Sequence, residues 1–568
     1  MKSNASTIRI WWILGAIVSV ALLLSVKLYT VQIVHGEEFS NRADRQYLRP
    51  NAKLFDRGAI SFETKDGDII DAGTLQMGYT LAINPSTIAE PADVYNTLSF
   101  VLKDIDEDTF FKRVSKSDDP YEELAKRLPK DDADKIEELD IPGVSLFKDR
   151  WRFYPGKSLA AHAIGFLSWK DNENLGRYGL EKQYEDVLNR NNGDVFANFF
   201  VEIFSGLSET IVGNEHKGSI VTTIEPTVQT FVERELELVH DEWKSDTIGA
   251  IVMDPQTGAI RAMALYPTFD LNTFNEVDSV SVFNNQLVEG VYEMGSIVKP
   301  LTMAIGLDTG SVTPETTYED RGQLTANGYT IYNYDKKARG VVSMQEVLNK
   351  SLNTGVSFVV SKVGNEKFSE YLLKLIGEPT GVDLPKEGEP LISNLKNNRD
   401  IEYMTASYGQ GIALTPIAMT RALAALGNGG YLVQPHIVSK IDYEVGVSKS
   451  IEPEKGPQIF SQKTSEEISR MLTKVVDEAL AGGTVALPHY SVAAKTGTAQ
   501  IAKSGGGYYD DRYLHSFFGY FPAFDPKFIV FLYHVNPKGA PYASQTLTEP
   551  FMNITKFLIN YYEIPPDR

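Results

Sequence analysis

Between Ile10 and Val26 no charged residue interrupts the apolar run, and after Lys27 it resumes as far as Val34. Roughly 17 to 25 such residues cross a hydrocarbon core as a helix, so this stretch is expected to span a membrane. No small-x-small cleavage site follows, and the run exceeds a signal-peptide core, which favours an uncleaved anchor. Beyond it the hydrophobic period shortens. Alternating runs such as Tyr79-Thr-Leu-Ala-Ile83 predict short strands over residues 36–215. An insert from Asp104 to Leu139 carries acids and lysines at helical spacing and reads as a small solvated helical lobe.

A boundary is placed near Gly213-Asn-Glu-His-Lys-Gly218. Past it, Ile220-Val-Thr-Thr-Ile224 predicts a strand and Thr227 to Val239 an amphipathic helix. Thr247-Ile-Gly-Ala-Ile-Val-Met253 and Ala259-Ile-Arg-Ala-Met-Ala-Leu265, joined by Asp254-Pro-Gln-Thr-Gly258, predict a β-hairpin. Further strands are expected at Val492 to Ala494, Ser516 to Tyr520 and Phe528 to His534, with a turn-rich loop from Ile501 to Tyr513. Strands at both ends with helices between them predict an α+β domain, one antiparallel sheet flanked by helices. The expected organisation is a tail and anchor over 1–35, a β-rich region over 36–215 and the α+β domain over 216–568.

Three strings in fixed order carry the chemistry: Ser296-Ile-Val-Lys299, Ser351-Leu-Asn353 and Lys495-Thr-Gly497. Proline is tolerated only in the first turn of a helix, so a helix containing Pro300 is expected to start at Ser296. Lys299, three residues on, then shares a face with the serine and can take its proton. A serine hydroxyl is a poor nucleophile until a base removes that proton, and lysine serves only with its pKa lowered by burial or by a second cation. Lys495 is the candidate cation, Ser351 a relay between the two amines, and Asn353 a group to hold Lys299 and a substrate amide. Gly497 lets a substrate backbone lie against the strand. Thr496 and Thr498 offer hydroxyls to a terminal carboxylate, and the amides of Ser296 and Thr498 can bind an oxyanion. Ser393-Asn-Leu-Lys396 has the same spacing without the glycine and proline that bracket Ser296, and is read as a decoy.

Composition removes other classes. The net charge of -20 argues against nucleic acid as a partner, because phosphate neutralisation needs basic patches. With no cysteine, thiol catalysis and thiolate metal sites are excluded. The eight histidines fall singly, so no metal and no cofactor is expected, and His162, His515 and His534 are read as structural.

On these residues the chain resembles the class B penicillin-binding proteins, monofunctional peptidoglycan D,D-transpeptidases. Tyr292-Glu-Met-Gly-Ser-Ile-Val-Lys-Pro300 is similar to the family's Y-E-P-G-S-T-F-K-P, departing at Met294, Ile297 and Val298. Thr405-Ala-Ser-Tyr-Gly-Gln-Gly-Ile-Ala-Leu-Thr-Pro416, Gly427-Asn-Gly-Gly-Tyr-Leu-Val-Gln-Pro435 and Thr380-Gly-Val-Asp-Leu-Pro385 follow other family signatures. Upstream, Phe55-Asp-Arg-Gly-Ala-Ile60, Arg152-Phe-Tyr-Pro-Gly156 and Gly179-Leu-Glu181 resemble the family's non-catalytic pedestal, although the D-R-N-G half of its opening motif is degraded to Phe62-Glu-Thr-Lys-Asp-Gly67.

The resemblance implies a serine β-lactamase-like transpeptidase fold that cross-links peptidoglycan stem peptides, with β-lactams as inhibitors acylating the same serine. It also implies a single-pass protein of the inner membrane with its catalytic domain outside, and a multi-span glycosyltransferase and division proteins as partners. Positive-inside counting does not give this topology, since Arg42, Arg45, Arg49 and Lys53 follow the span; the function requires it. Ser516-Phe-Phe-Gly-Tyr-Phe-Pro522 looks more like the septal branch than the elongation branch. An elongation enzyme, a D,D-carboxypeptidase or β-lactamase, and a β-lactam sensor or inactive scaffold are the alternatives.

Overall fold

The computed structural model describes residues 55–190 and 217–568, apart from 104, 171–172 and 452–454, with a few positions before residue 28. The expected anchor lies almost wholly outside the described residues, as does most of the boundary near 213–218. Among the described residues no helix is long and apolar enough to cross a membrane. Among the described residues two compact units result, one from 55–56 with 75–151, the other from 57–74 with 152–568.

The first unit packs helices Pro91–Val101, Glu107–Val114 and Lys130–Glu138 around a core of Leu81, Ile83, Leu98, Phe110 and Ile136. Between the last two helices Glu122–Leu128 is a strand, paired antiparallel with residues 79–83. The lobe expected to be helical is therefore mixed. Glu-Glu-Leu-Ala-Lys-Arg-Leu is a helix-forming composition, and the free ladder edge of residues 79–83 overrides it.

In the second unit a five-stranded antiparallel sheet forms the centre: β1 (Thr247–Met253), β2 (Ile260–Tyr266), β3 (Ala493–Ala502), β4 (Tyr508–Phe521) and β5 (Phe528–Val535), in the order β3-β4-β5-β1-β2. Side chains alternate between the faces of a strand, and here both faces are buried. Ile248, Ala250, Val252 and Phe517 join one core with helices α1 (Pro226–Trp243) and α5 (Thr548–Tyr561). Ile251, Met253, Phe518 and Phe531 join the other, with α2 (Lys299–Asp308) and α3 (Asn353–Val363). The short helix α4 (Ala543–Thr546) precedes α5.

α1 begins where Glu225 accepts from Val228 N and Pro226 opens the first turn, and it buries Val228, Val232, Leu236 and Val239 at helical spacing. α2 is different, because every residue from Lys299 to Gly306 is buried. It also starts later than the sequence suggests. Gly295–Val298 is a 3-10 turn, closed by Lys299 N–H donating to Ser296 O, and the α-helix begins at Lys299 with Pro300 in its first turn. A tight turn before a helix is a common way to satisfy its first amides. The expected loop over 501–513 is likewise mostly strand, since β3 and β4 run on until only a tight turn remains between Lys503 and Gly507.

Three upstream motifs meet in one buried ion cluster of the second unit. Glu181, wholly buried, accepts from Arg57 Nε and Arg152 Nε at 2.6 Å each and from the Tyr154 hydroxyl at 3.1 Å. Burial would raise this carboxyl; the charges of Arg152 and Arg57 outweigh it and hold the group below its ordinary value.

Candidate active site

The three catalytic strings converge at the side of the sheet where β3 is outermost. Ser296 sits in the 3-10 turn, half-buried, and in such a turn side chains three apart fall on the same side, so Ser296 and Lys299 are aligned. Lys299 is 1% exposed and Lys495 4%, burial that lysine almost never has without a partner. The partner is Ser351. Lys299 Nζ donates to Ser351 O at 2.6 Å and to Ser351 Oγ at 3.1 Å, and Lys495 Nζ donates to the same Oγ at 3.1 Å.

Ser351 can face both amines because its backbone is left-handed, with φ 53°, a sparsely populated state for a residue with a Cβ. Behind it, Thr354 Oγ1 donates to buried Asp320 at 2.9 Å, and Asn333 Nδ2 donates to the same carboxylate at 2.9 Å. These bonds fix the start of α3 and with it the Ser351 turn. Asn353 donates its side-chain amide to Tyr332 O at 2.8 Å, so the bonds holding Lys299 come from Ser351 and not from Asn353.

Two glycines bring the serine turn and β3 together. Gly295 has φ 64°, and a Cβ there would lie 2.6 Å from Thr498 O; a Cβ on Gly497 would lie 2.7 Å from Met294 O. Ser516, opposite Gly497 on β4, donates to Met294 O at 2.8 Å and pins the turn from the sheet side. Gly497→Ala is expected to overpack this contact, costing about 1–3 kcal/mol and lowering the thermal midpoint. An unchanged midpoint would show that the turn yields freely.

Electrostatics agree with the geometry. Burial, and then the charge of Lys495, push Lys299 well below its ordinary pKa. Burial alone brings Lys495 down to about 8. The decoy pair differs on each count, Ser393 and Lys396 being exposed on a separate 3-10 turn.

Along β3, Thr496 and Thr498 are both half-buried, and Thr496 O accepts from Lys495 Nζ at 3.2 Å. Thr498 Oγ1 accepts from Ala543 N at 3.0 Å. Sequence reasoning did not single out Ser516 as a tether, nor the latch in which the Tyr508 hydroxyl donates to Glu293 at 3.0 Å. Both depend on sheet register and long-range packing, for which local spacing holds no signal.

The arrangement supplies a hydroxyl, a buried amine with a lowered pKa on the same side of the turn, a second hydroxyl bridging to a second amine, and a strand with two further hydroxyls. That is the equipment for acyl transfer through a covalent serine ester. A family described as the penicillin binding protein transpeptidase domain matches residues 248–556, more than half of the chain. A penicillin-binding protein dimerisation domain matches residues 72–197. Among curated relatives, the stage V sporulation protein D of Bacillus subtilis is 29% identical over 96% of this chain and 84% of its own length. The peptidoglycan D,D-transpeptidase FtsI of Buchnera aphidicola (subsp. Schizaphis graminum) is 26% identical over 96% of this chain and 94% of its own. Among solved structures, penicillin binding protein 3 of Mycobacterium tuberculosis with aztreonam aligns with a TM-score of 0.68 at 23% identity, covering 91% of this chain and 98% of that one, a likeness of fold.

Proposed function

Because this chain belongs to the penicillin-binding protein transpeptidase family, we propose that Ser296 is the nucleophile of a peptidoglycan cross-linking reaction. The chain is a class B penicillin-binding protein, a D,D-transpeptidase of the division-associated kind. The observation that carries the assignment of roles is the buried chain Lys299–Ser351–Lys495 beside the turn of Ser296.

Ser296 Oγ attacks the carbonyl of the penultimate D-alanine and its proton passes to neutral Lys299. The C–N bond then breaks, and the proton returns through Ser351 to the departing D-alanine amine. An amine from a second stem peptide attacks the ester, giving up a proton by the same route, and Ser296 is regenerated with the new peptide bond formed. The backbone amides of Ser296 and Thr498 hold the oxyanion of each tetrahedral intermediate. Charged Lys495 with Thr496 and Thr498 receives the donor's terminal carboxylate, Gly497 admits its backbone, and Asn353 orients its amide.

These roles fix the pH dependence. Lys299 must be neutral and Lys495 charged, so acylation by penicillin is expected to fall as pH rises through about 8, where Lys495 loses its proton. Lys495→Arg, which does not titrate there, removes that limb. A wild-type rate still rising at pH 9, roughly one unit beyond that midpoint, would exclude a role for the Lys495 charge.

We place the division at 1–35, 36–215 and 216–568, with residues 10–34 as a single anchor in the inner membrane and the catalytic domain outside it. Its partners in that setting are a multi-span glycosyltransferase and division proteins, and β-lactams are its inhibitors. The assay that tests the function gives the full-length protein a stem pentapeptide with and without an acceptor amine. Cross-linked product that grows with acceptor supports the transpeptidase; D-alanine release indifferent to acceptor, with only hydrolysed product, would make it a D,D-carboxypeptidase.

A further inference from the structure

Three polar side chains form a row across the sheet face that β3 turns away from Lys495. Thr498 on β3 pairs in register with His515 on β4, and His515 pairs with His534 on β5. Both histidines are wholly buried, on a face otherwise filled by Phe517, Val530 and Leu532. Apolar residues would fill those positions at lower cost, so a polar row confined to the end beside Thr498 points to function.

The short helix α4 joins the row. Thr546 Oγ1 lies 2.9 Å from both His515 Nδ1 and His534 Nε2, which are themselves 3.3 Å apart. At the other end of the same helix Ala543 N–H donates to Thr498 Oγ1 at 3.0 Å. An amide N–H can only donate, so the Thr498 oxygen is fixed as acceptor in that bond and its own proton must go elsewhere. A carboxylate, which only accepts, is the group that such a hydroxyl serves. Burial keeps both imidazoles neutral, His515 at about 4 and His534 well below its ordinary value, so the row brings no charge of its own to compete with Lys495.

We infer that His515, His534 and Thr546 are positioning residues for the donor's terminal carboxylate: they anchor α4 so that Ala543 sets the Thr498 hydroxyl with its proton outward. This rests on the reading of Thr498 as a carboxylate ligand. The test compares acylation of the full-length protein by benzylpenicillin and by its methyl ester, whose carboxylate is masked. Thr498→Val is expected to cut the preference for the free acid about tenfold, the worth of one charge-assisted hydrogen bond. Thr546→Val, which keeps side-chain volume, and His534→Phe, which keeps a flat ring without its nitrogens, are expected to cut it about as much while leaving ester acylation near wild type, and Thr546→Ser to restore it.

Equal slowing of both reagents by Thr546→Val and His534→Phe would mean a purely structural row and overturn the inference, as would an unchanged preference in both. If Thr498→Val itself leaves the preference intact, the carboxylate reading of Thr498 fails and the inference falls with it. Loss in Thr498→Val with none in the other two removes only the positioning.

Discussion

Fluorescent penicillin is expected to label the wild-type chain and Ser393→Ala alike, to leave Ser296→Ala unlabelled, and to label Lys299→Met about 10²–10⁴ times more slowly, the usual worth of a general base. Burial and the neighbouring Lys495 charge push Lys299 well below its ordinary pKa, which favours it as a base, and methionine matches its length while its thioether is far too weak a base to take the proton. The same substitution should stabilise the fold. A lysine whose pKa is pushed well down in the folded protein makes the unfolded state the better proton binder, so this site costs stability below the ordinary lysine value and the cost shrinks as pH rises towards it. Replacing buried charged groups together by apolar residues of similar volume is neutral or gains about 1–4 kcal/mol, and here the loss of the Lys299 bonds to Ser351 O and Oγ offsets part of the gain. Lys299→Met should therefore be slow to acylate yet melt higher. Rapid labelling of Ser296→Ala, or wild-type kinetics in Lys299→Met, would sink the assignment.

The second large effect lies away from the chemistry. Glu181→Ala is expected to lose about 3–5 kcal/mol, the penalty for leaving the buried Arg152 charge without its carboxylate, while Arg57 keeps Glu185 at 2.7 Å. Arg57 and Arg152 both direct their Nε groups at this carboxylate, and the Arg57 side chain is fully enclosed. Glu181→Gln keeps the shape but not the charge and should fall between. Folded Glu181→Ala protein is expected to acylate at near the wild-type rate, since the cluster touches none of the residues around Ser296. Denaturant titration decides the matter, and a loss under about 1 kcal/mol would mean that Glu185 suffices for Arg57 and that water compensates Arg152.

Much of the site was legible in the sequence because its parts are local. Ser296 and Lys299 are one turn apart whether that turn is 3-10 or α, so a misplaced helix start left them on the same side of the chain. The apolar runs of β1, β2 and β5 announced a sheet buried on both faces. What the sequence concealed is what pairing decides. Residues 122–128 have the composition of a helix and become a strand because an edge was available. The polar, glycine-rich stretch after Ile501 looked like a loop, yet β3 and β4 continue into it, and Tyr508 at its far side reaches Glu293. His515, read only as structural, stands opposite Thr498, a relation that exists only once the strand register is set.

The left-handed backbone of Ser351 narrows the substitutions that its proposed relay role can tolerate. Threonine, the other small alcohol, would place a branched Cβ in a region where even serine is strained. Glycine would relax the turn and erase the hydroxyl. On the relay role proposed for Ser351, a variant that keeps the hydroxyl has no conservative step open at this position, and changes that tune it should instead fall on the neighbours that shape the turn, such as Asn333 and Thr354.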